Sequence, residues 1–320
     1  MQKNFFEGLY TAQITPFNEK GDIDFTSLEK LLKIQIHAGL SGVVIAGSTG
    51  EAATLSHQEY QEILYFAKKI IIENYDSSIA KIPEQNKKNA TYKTRSFQLI
   101  AGVSANSTAD AFAKIKIAQD SEVDGIMCVT PFYNKPSQDG LYEYFTQIHN
   151  FTSLPIMLYS VPSRCGVDLA DETIIKLAKL ERILALKDSA GDVTRPLRLQ
   201  RNLSSKFSIL SGDDPLNIAF AAMGAKGSIS VISNILPYYL HKIQSFLETE
   251  NFSKARELQS NIDKLASHIL ALGNPAGIKY AASCLNLCSS KVRIPLYEIT
   301  NSELKKYIIN KVEQISQTFE

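Results

Sequence analysis

The chain has 320 residues, 44% of them hydrophobic and 21% charged, with 34 basic side chains against 33 acidic ones. This is the composition of a core-forming chain, not a disordered one, and a formal net charge of +1 argues against nucleic acid as a partner and against a polybasic membrane patch. No apolar run approaches the roughly 18 residues that a membrane helix needs, and the opening MQKNFFEGLY has no signal-peptide core, so the expectation is a soluble, cytoplasmic protein.

Short β-rich apolar runs alternate with longer segments of helical period. The first run is Tyr10–Ile14. A helix is expected over Phe25–Ala38, where Leu28, Leu31, Leu32 and Ile36 recur at helical spacing behind a start signal at Asp24 or Thr26. Gly42–Ala46 is the second run. Glu73–Phe97 then reads as a polar insertion ahead of the third run, Gln98–Gly102. Thr108–Gln119 is helical in period, Gly125–Val129 is the fourth run, and Leu141–Asn150 is helical. Pro155–Tyr159, the helix Asp171–Leu180, Ile183–Leu186, Phe207–Leu210 and Gly227–Val231 complete eight runs.

Near-continuous apolar strands separated by amphipathic helices imply parallel strands buried on both faces. Eight such units in about 230 residues fit a TIM (β/α)8 barrel better than a doubly wound sheet. The barrel is expected over residues 1–235, with the insertion at 73–97 hanging from the face opposite the strand C-termini. An appended C-terminal helical segment is expected over 236–320, through Leu236–Leu247, Phe252–Leu272, Ala276–Leu287 and Ser302–Ile315.

The four cysteines (128, 165, 284 and 288) are too few and irregular for a disulfide framework. Cys284 and Cys288 are spaced as half a metal site, but no second Cys or His pair lies close in sequence. The five histidines show no HExxH, so no metal is expected.

In a barrel enzyme the chemistry gathers where strands end and βα loops begin. Lys187 follows the apolar Ile183–Leu186 directly. A lysine kept from water becomes a neutral amine able to form an imine with a ketone; otherwise it is a solvated strand cap. Gly47-Ser48-Thr49-Gly50-Glu51 offers backbone N–H groups and two hydroxyls for a small carboxylate, or is a simple βα turn. Arg164 has the planar fork for a second carboxylate, or lies idle on the surface. Tyr133 and Tyr159 are site hydroxyls or core aromatics. Gly212-Asp213-Asp214 is backbone lining or a polar turn.

Several stretches together resemble the pyruvate-dependent aldolases and lyases, and within them the dihydrodipicolinate synthases: TAQITPF, GSTGEAATL, VTPFYNKPSQDGLYEYF, LYSVPSRCGVDL, ALKDSAGD, LSGDDP, GSISVISN and GNPAGIKYA. The resemblance implies that Lys187 forms a Schiff base with pyruvate, with no cofactor. It implies a proton relay of Tyr159, Ser48 and Tyr133, the last reaching into a neighbouring subunit of a homotetramer built from tight dimers. It further implies that Thr49 holds the pyruvate carboxylate, that Arg164 holds the carboxylate of aspartate semialdehyde, and that Gly212 and Ile229 line the pocket. Sialic-acid or keto-deoxy sugar acid lyases share the lysine and the GxTGE pattern; Arg164 favours the synthase over them. Ser48 stands where threonine is usual, and Cys165 where threonine is common. In lysine-inhibited members the inhibitor site matches Ala52, His57, Tyr60, Asn106, Asp110 and Phe132. Only His57, Asn106 and Asp110 keep the polar character there, which implies weak lysine inhibition or none.

Overall fold

Strands with no polar alternation are satisfied only where both faces are covered, and the computed structural model, which describes residues 4–80 and 97–317, closes them into a barrel. The strands are β1 (Gly8–Ala12), β2 (Gly42–Ile45), β3 (Gln98–Val103), β4 (Gly125–Val129), β5 (Ile156–Ser160), β6 (Ile183–Asp188), β7 (Ser208–Ser211) and β8 (Gly227–Ser230). All pair in parallel in sequence order, and β8 returns to β1 with Tyr10 opposite Ile229.

The helices that cover it are α1 (Phe25–His37), α2 (His57–Ala80), α3 (Thr108–Asp120), α4 (Gln138–Phe151), the single turn α5 (Pro162–Cys165), α6 (Asp171–Leu177), α7 (Arg195–Gln200) and α8 (Asn217–Ala222). They continue with α9 (Pro237–Glu248), α10 (Phe252–Ala271), α11 (Ala276–Cys284) and α12 (Ser302–Gln317). Asp24, not Thr26, caps α1, its carboxylate accepting from the Ser27 N–H at 3.0 Å. Ser107, Ser137 and Asn251 cap α3, α4 and α10 in the same way. Burying Leu28, Leu31, Leu32 and Ile36 of α1 contributes roughly 6–12 kcal/mol of transfer free energy, an upper figure.

At the β8–β1 seam buried polar side chains pair with one another and with the backbone. Gln35 sits on the apolar face of α1, fully buried. It accepts from the Thr11 hydroxyl at 2.8 Å and donates to the Ser233 carbonyl at 3.0 Å. Asn234 accepts from the Ile14 N–H and from the Gln13 amide, both at 3.1 Å, and donates to the Ala12 carbonyl at 2.8 Å. This network closes the β8–β1 seam and fixes the strand ends that face the site.

Several boundaries differ from expectation. β1 lies two residues earlier than its apolar run: its ladder to β8 starts at Gly8 opposite Gly227, while the apolar pattern continues through Ile14 and Phe17, which stay buried after the ladder has ended. The expected insertion at 73–97 begins instead as helix, since α2 runs to Ala80, and Phe97 is a buried residue leading into β3; positions 81–96 lie outside the described residues. Among the described residues no helix is long and apolar enough to cross a membrane.

The chain beyond β8 does not hang free. α9 packs on β1, α10 on α9, α11 on α10, and α12 on both α10 and α11. Ile262, Leu265, Ile278 and Ile308 join the same core cluster as the barrel residues.

Candidate active site

At the C-terminal ends of the strands lies a cavity of about 370 Å³. Tyr159 of β5 and Lys187 of β6 are opposite in register, and residues opposite in a parallel pair share a face. Lys187 is 5% exposed, and its Nζ lies 4.2 Å from the Tyr159 ring centroid. The apolar run ends at Leu186, but the strand continues through Lys187 and Asp188, so the lysine stem is held by the barrel wall. Gly212 faces it from the end of β7, and its role is space. A Cβ there would come 3.0 Å from the Lys187 Cε and overlap the Ser189 hydroxyl.

The loop after β2 supplies Ser48 and Thr49 to the same cavity. Its backbone is left-handed at Ala46 (φ 55°) and at Glu51 (φ 54°), where a non-glycine residue costs about 1–3 kcal/mol and persists only if its surroundings hold it. Gly50 packs tightly: an added Cβ would lie 2.9 Å from the Gln13 carbonyl, and the Gly50 carbonyl itself accepts from the Thr15 hydroxyl at 2.7 Å. Glu51 is the anchor. Its side chain is fully buried and paired with the fully buried Lys279 of α11, whose ammonium also donates to the Lys291 carbonyl at 2.7 Å and rests 4.0 Å from the Phe17 ring centroid. The second Glu51 oxygen accepts the Arg293 N–H at 3.0 Å. The Arg293 guanidinium in turn binds Glu59, which it helps to hold at about 2.

Arg164 on α5 lines the exposed side of the cavity and donates to the Asn274 main-chain carbonyl at 3.1 Å. The Asn274 side chain donates to the Thr49 hydroxyl at 2.9 Å. Neither Asn274 nor Lys279 was singled out in the sequence reading. Both lie in the GNPAGIKYA stretch, but their partners Thr49 and Glu51 are more than two hundred positions away.

Asp213 and Asp214 line the site, Asp188 lies behind Lys187 on the outer face of β6, and burial raises each. Asp188 is pushed up to about 6, with Arg195 opposing, and accepts from the Ala190 N–H at 2.8 Å. Asp213 is raised despite the nearby Lys187 charge. Asp214 is raised while accepting from the Val231 and Ile232 N–H groups at 2.8 and 3.1 Å, which ties the β7 loop to the end of β8.

The structure therefore gathers Lys187, Tyr159, Ser48, Thr49, Arg164 and Gly212 around one cavity. Ile229 is buried within β8, two residues below Val231, which lines the cavity from that strand. Tyr133 is 90% exposed with a left-handed backbone (φ 72°) and stands outside the lining of its own chain.

Of the three polar positions matched to the inhibitor site, His57 and Asp110 bond each other at 2.8 Å, and Lys114 takes the other Asp110 oxygen at 2.9 Å. Burial would raise the Asp110 carboxyl, but these two partners outweigh it and hold it below its ordinary value. Asn106 is exposed and accepts from the Asn134 amide through its carbonyl. Tyr60 is buried, with its hydroxyl unpaired among the described residues. Cys284 and Cys288 are free thiols; burial pushes Cys288 up to about 12. Among the described residues no group of three or more His, Cys, Asp or Glu is placed to hold a metal ion.

A lysine buried in the wall of a closed (β/α)8 barrel, against an aromatic ring and in a cavity that also holds two hydroxyls and an arginine, fits the class of lysine-dependent barrel lyases. The chain matches the model of the dihydrodipicolinate synthetase family over residues 5–82 and 84–314, and it belongs to that family. It is 42% identical over 306 residues to the 4-hydroxy-tetrahydrodipicolinate synthase of Rickettsia bellii (strain RML369-C), covering 95% of both chains. The solved 4-hydroxy-tetrahydrodipicolinate synthase of Methylacidiphilum fumariolicum SolV superposes with a TM-score of 0.87 at 34% identity, covering 98% of both chains. The chloride-inhibited dihydrodipicolinate synthase of Acinetobacter baumannii, solved with pyruvate, superposes with a TM-score of 0.85 at 32% identity, covering 97% of this chain and 99% of that one.

Proposed function

We propose that the chain condenses pyruvate with L-aspartate 4-semialdehyde to give 4-hydroxy-tetrahydrodipicolinate, on the diaminopimelate route to lysine, through a Schiff base at Lys187. The observation that carries this is the Lys187 amine, buried against Tyr159 in a cavity that also holds Thr49 and Arg164.

The amine adds to the pyruvate ketone, and water leaves to give an imine. Its nitrogen withdraws electrons and acidifies the adjacent methyl group. Thr49 and its backbone hold the pyruvate carboxylate; Gly212 and Val231 bound the pocket, with Ile229 packed beneath Val231. Tyr159, nearest the imine, passes protons with Ser48 and with Tyr133, because a phenol alone is a poor base and coupling to neighbouring hydroxyls carries the proton. The enamine carbon attacks the aldehyde carbon, and the aldehyde oxygen takes a proton. The amino group of the product chain then displaces Lys187 from the imine carbon, which closes the ring and frees the enzyme. Arg164 binds the aldehyde's carboxylate by its planar fork; this need favours the synthase reading over the sugar-acid lyases.

The enzyme works in the cytoplasm as a homotetramer of tight dimers, in which Tyr133, exposed on the single chain, enters the partner's relay. The test is borohydride reduction with pyruvate followed by a coupled assay with aspartate semialdehyde. One reduced pyruvyl group mapped to Lys187, with turnover of the aldehyde, supports the reading; an adduct elsewhere, or none, overturns it.

Lysine inhibition is expected to be weak or absent, since Phe132 has no hydroxyl for the inhibitor and Asp110 is already satisfied by Lys114 and His57. One lost hydrogen bond to a charged group costs about ten- to a hundredfold in affinity. Half-inhibition of the initial rate at sub-millimolar L-lysine would contradict this.

A further inference from the structure

We propose that Asn274 is a positioning residue that sets the proton of the Thr49 hydroxyl, so that the segment between α10 and α11 is a working part of the pyruvate subsite. The inference rests on the pyruvate reading above and adds a residue to it. A threonine hydroxyl has one proton to donate and can accept as well. At Thr49 the accepting role is filled by the Asn274 side-chain amide at 2.9 Å, and Thr49 is 4% exposed, on the wall of the cavity that holds Lys187. With its lone pair engaged, the hydroxyl proton is left to point toward a carboxylate in the cavity. The loop that carries Thr49 is tied to the same C-terminal stretch a second time, by Glu51 and Lys279, so the Asn274–Thr49 contact joins two fixed bodies.

The same residue meets the other carboxylate binder differently. Arg164 donates to the main-chain carbonyl of Asn274, not to its side chain. A side-chain substitution at 274 therefore acts on Thr49 and leaves the Arg164 contact in place. This separates a positioning role from general disruption, which would impair both subsites.

The experiment measures KM for each substrate in Asn274→Ala and Asn274→Asp, in the native background and in Thr49→Val, with Arg164→Ala as the opposite case. Asn274→Asp keeps the shape but accepts instead of donating, which draws the Thr49 proton away from the cavity and sets a negative charge beside a bound carboxylate. The expected result is a rise in the pyruvate KM of about tenfold or more for Asn274→Asp and roughly three- to tenfold for Asn274→Ala. The aldehyde KM stays within about twofold, and both effects shrink to about twofold or less in Thr49→Val, as required of residues that act through one contact. Arg164→Ala shows the reverse pattern, with the aldehyde KM rising far more than the pyruvate KM. Equal changes in both KM values for Asn274→Asp, or the same fold-change in Thr49→Val as in the native background, would overturn the inference alone. Absence of a pyruvyl adduct on the native enzyme would overturn the pyruvate reading with it.

Discussion

Lys187→Ala should lower kcat by at least about 10⁴-fold, the scale of losing a covalent nucleophile, and should abolish the borohydride-trapped pyruvyl group. The variant should remain folded. The Lys187 side chain lies in a cavity already open to small molecules, and Asp213, which feels its charge, is itself shifted toward the neutral form by burial. Truncating a side chain that borders the cavity leaves the packed wall of the barrel in place, and the melting midpoint should move by no more than about 4 °C. Single-turnover assays and thermal melts of the same preparation check both halves. Turnover within about a hundredfold of native would remove Lys187 from the chemistry.

The largest stability effect should come from Lys279→Ala. Glu51 and Lys279 form an ion pair whose two side chains are both inaccessible to solvent. Burial lowers the Lys279 ammonium, and the Glu51 carboxylate opposes that shift. Taking away one partner leaves a buried carboxylate without its ammonium, at a cost of about 3–5 kcal/mol. Replacing both, as in Glu51→Gln with Lys279→Met, should recover part of that loss, because the apolar stem then packs where an isolated charge would have stood. Urea unfolding of Glu51→Gln, Lys279→Met and the double variant measures the coupling; an additive cycle would show that the two side chains do not act as a pair. The activity of Lys279→Ala should fall with its stability, since Glu51 holds the left-handed turn that presents Ser48 and Thr49.

The eight strands were legible because each is a short apolar run without polar alternation, and a run buried on both faces has only that pattern to show. Their ends were less legible. The apolar pattern stops at Leu186, but pairing continues to Asp188 because backbone groups pair whatever side chain they carry. α2 was cut short for the opposite reason: Glu73, Asn74, Asp76, Ser77 and Ser78 make the sequence read as polar from Glu73 onward, while the helix continues to Ala80. Lys187, Tyr159 and Arg164 stood out through their positions at strand ends and through the motifs around them. Asn274, Glu51 and Lys279 did not, since what matters in each is a partner more than two hundred residues distant. No local spacing encodes such a pairing.

That separation also sets an order of events during synthesis. All eight strands are synthesised by residue 230, yet a barrel formed from them alone would bury Glu51 with no ammonium to answer it, and Thr49 would have no amide to accept from. Both arrive only with residues 274–279. A chain truncated after α9 thus lacks the ammonium that answers Glu51 and the amide that meets Thr49. Synthesis of residues 274–279 therefore joins a late step of folding to the first moment at which the pocket can hold its substrate.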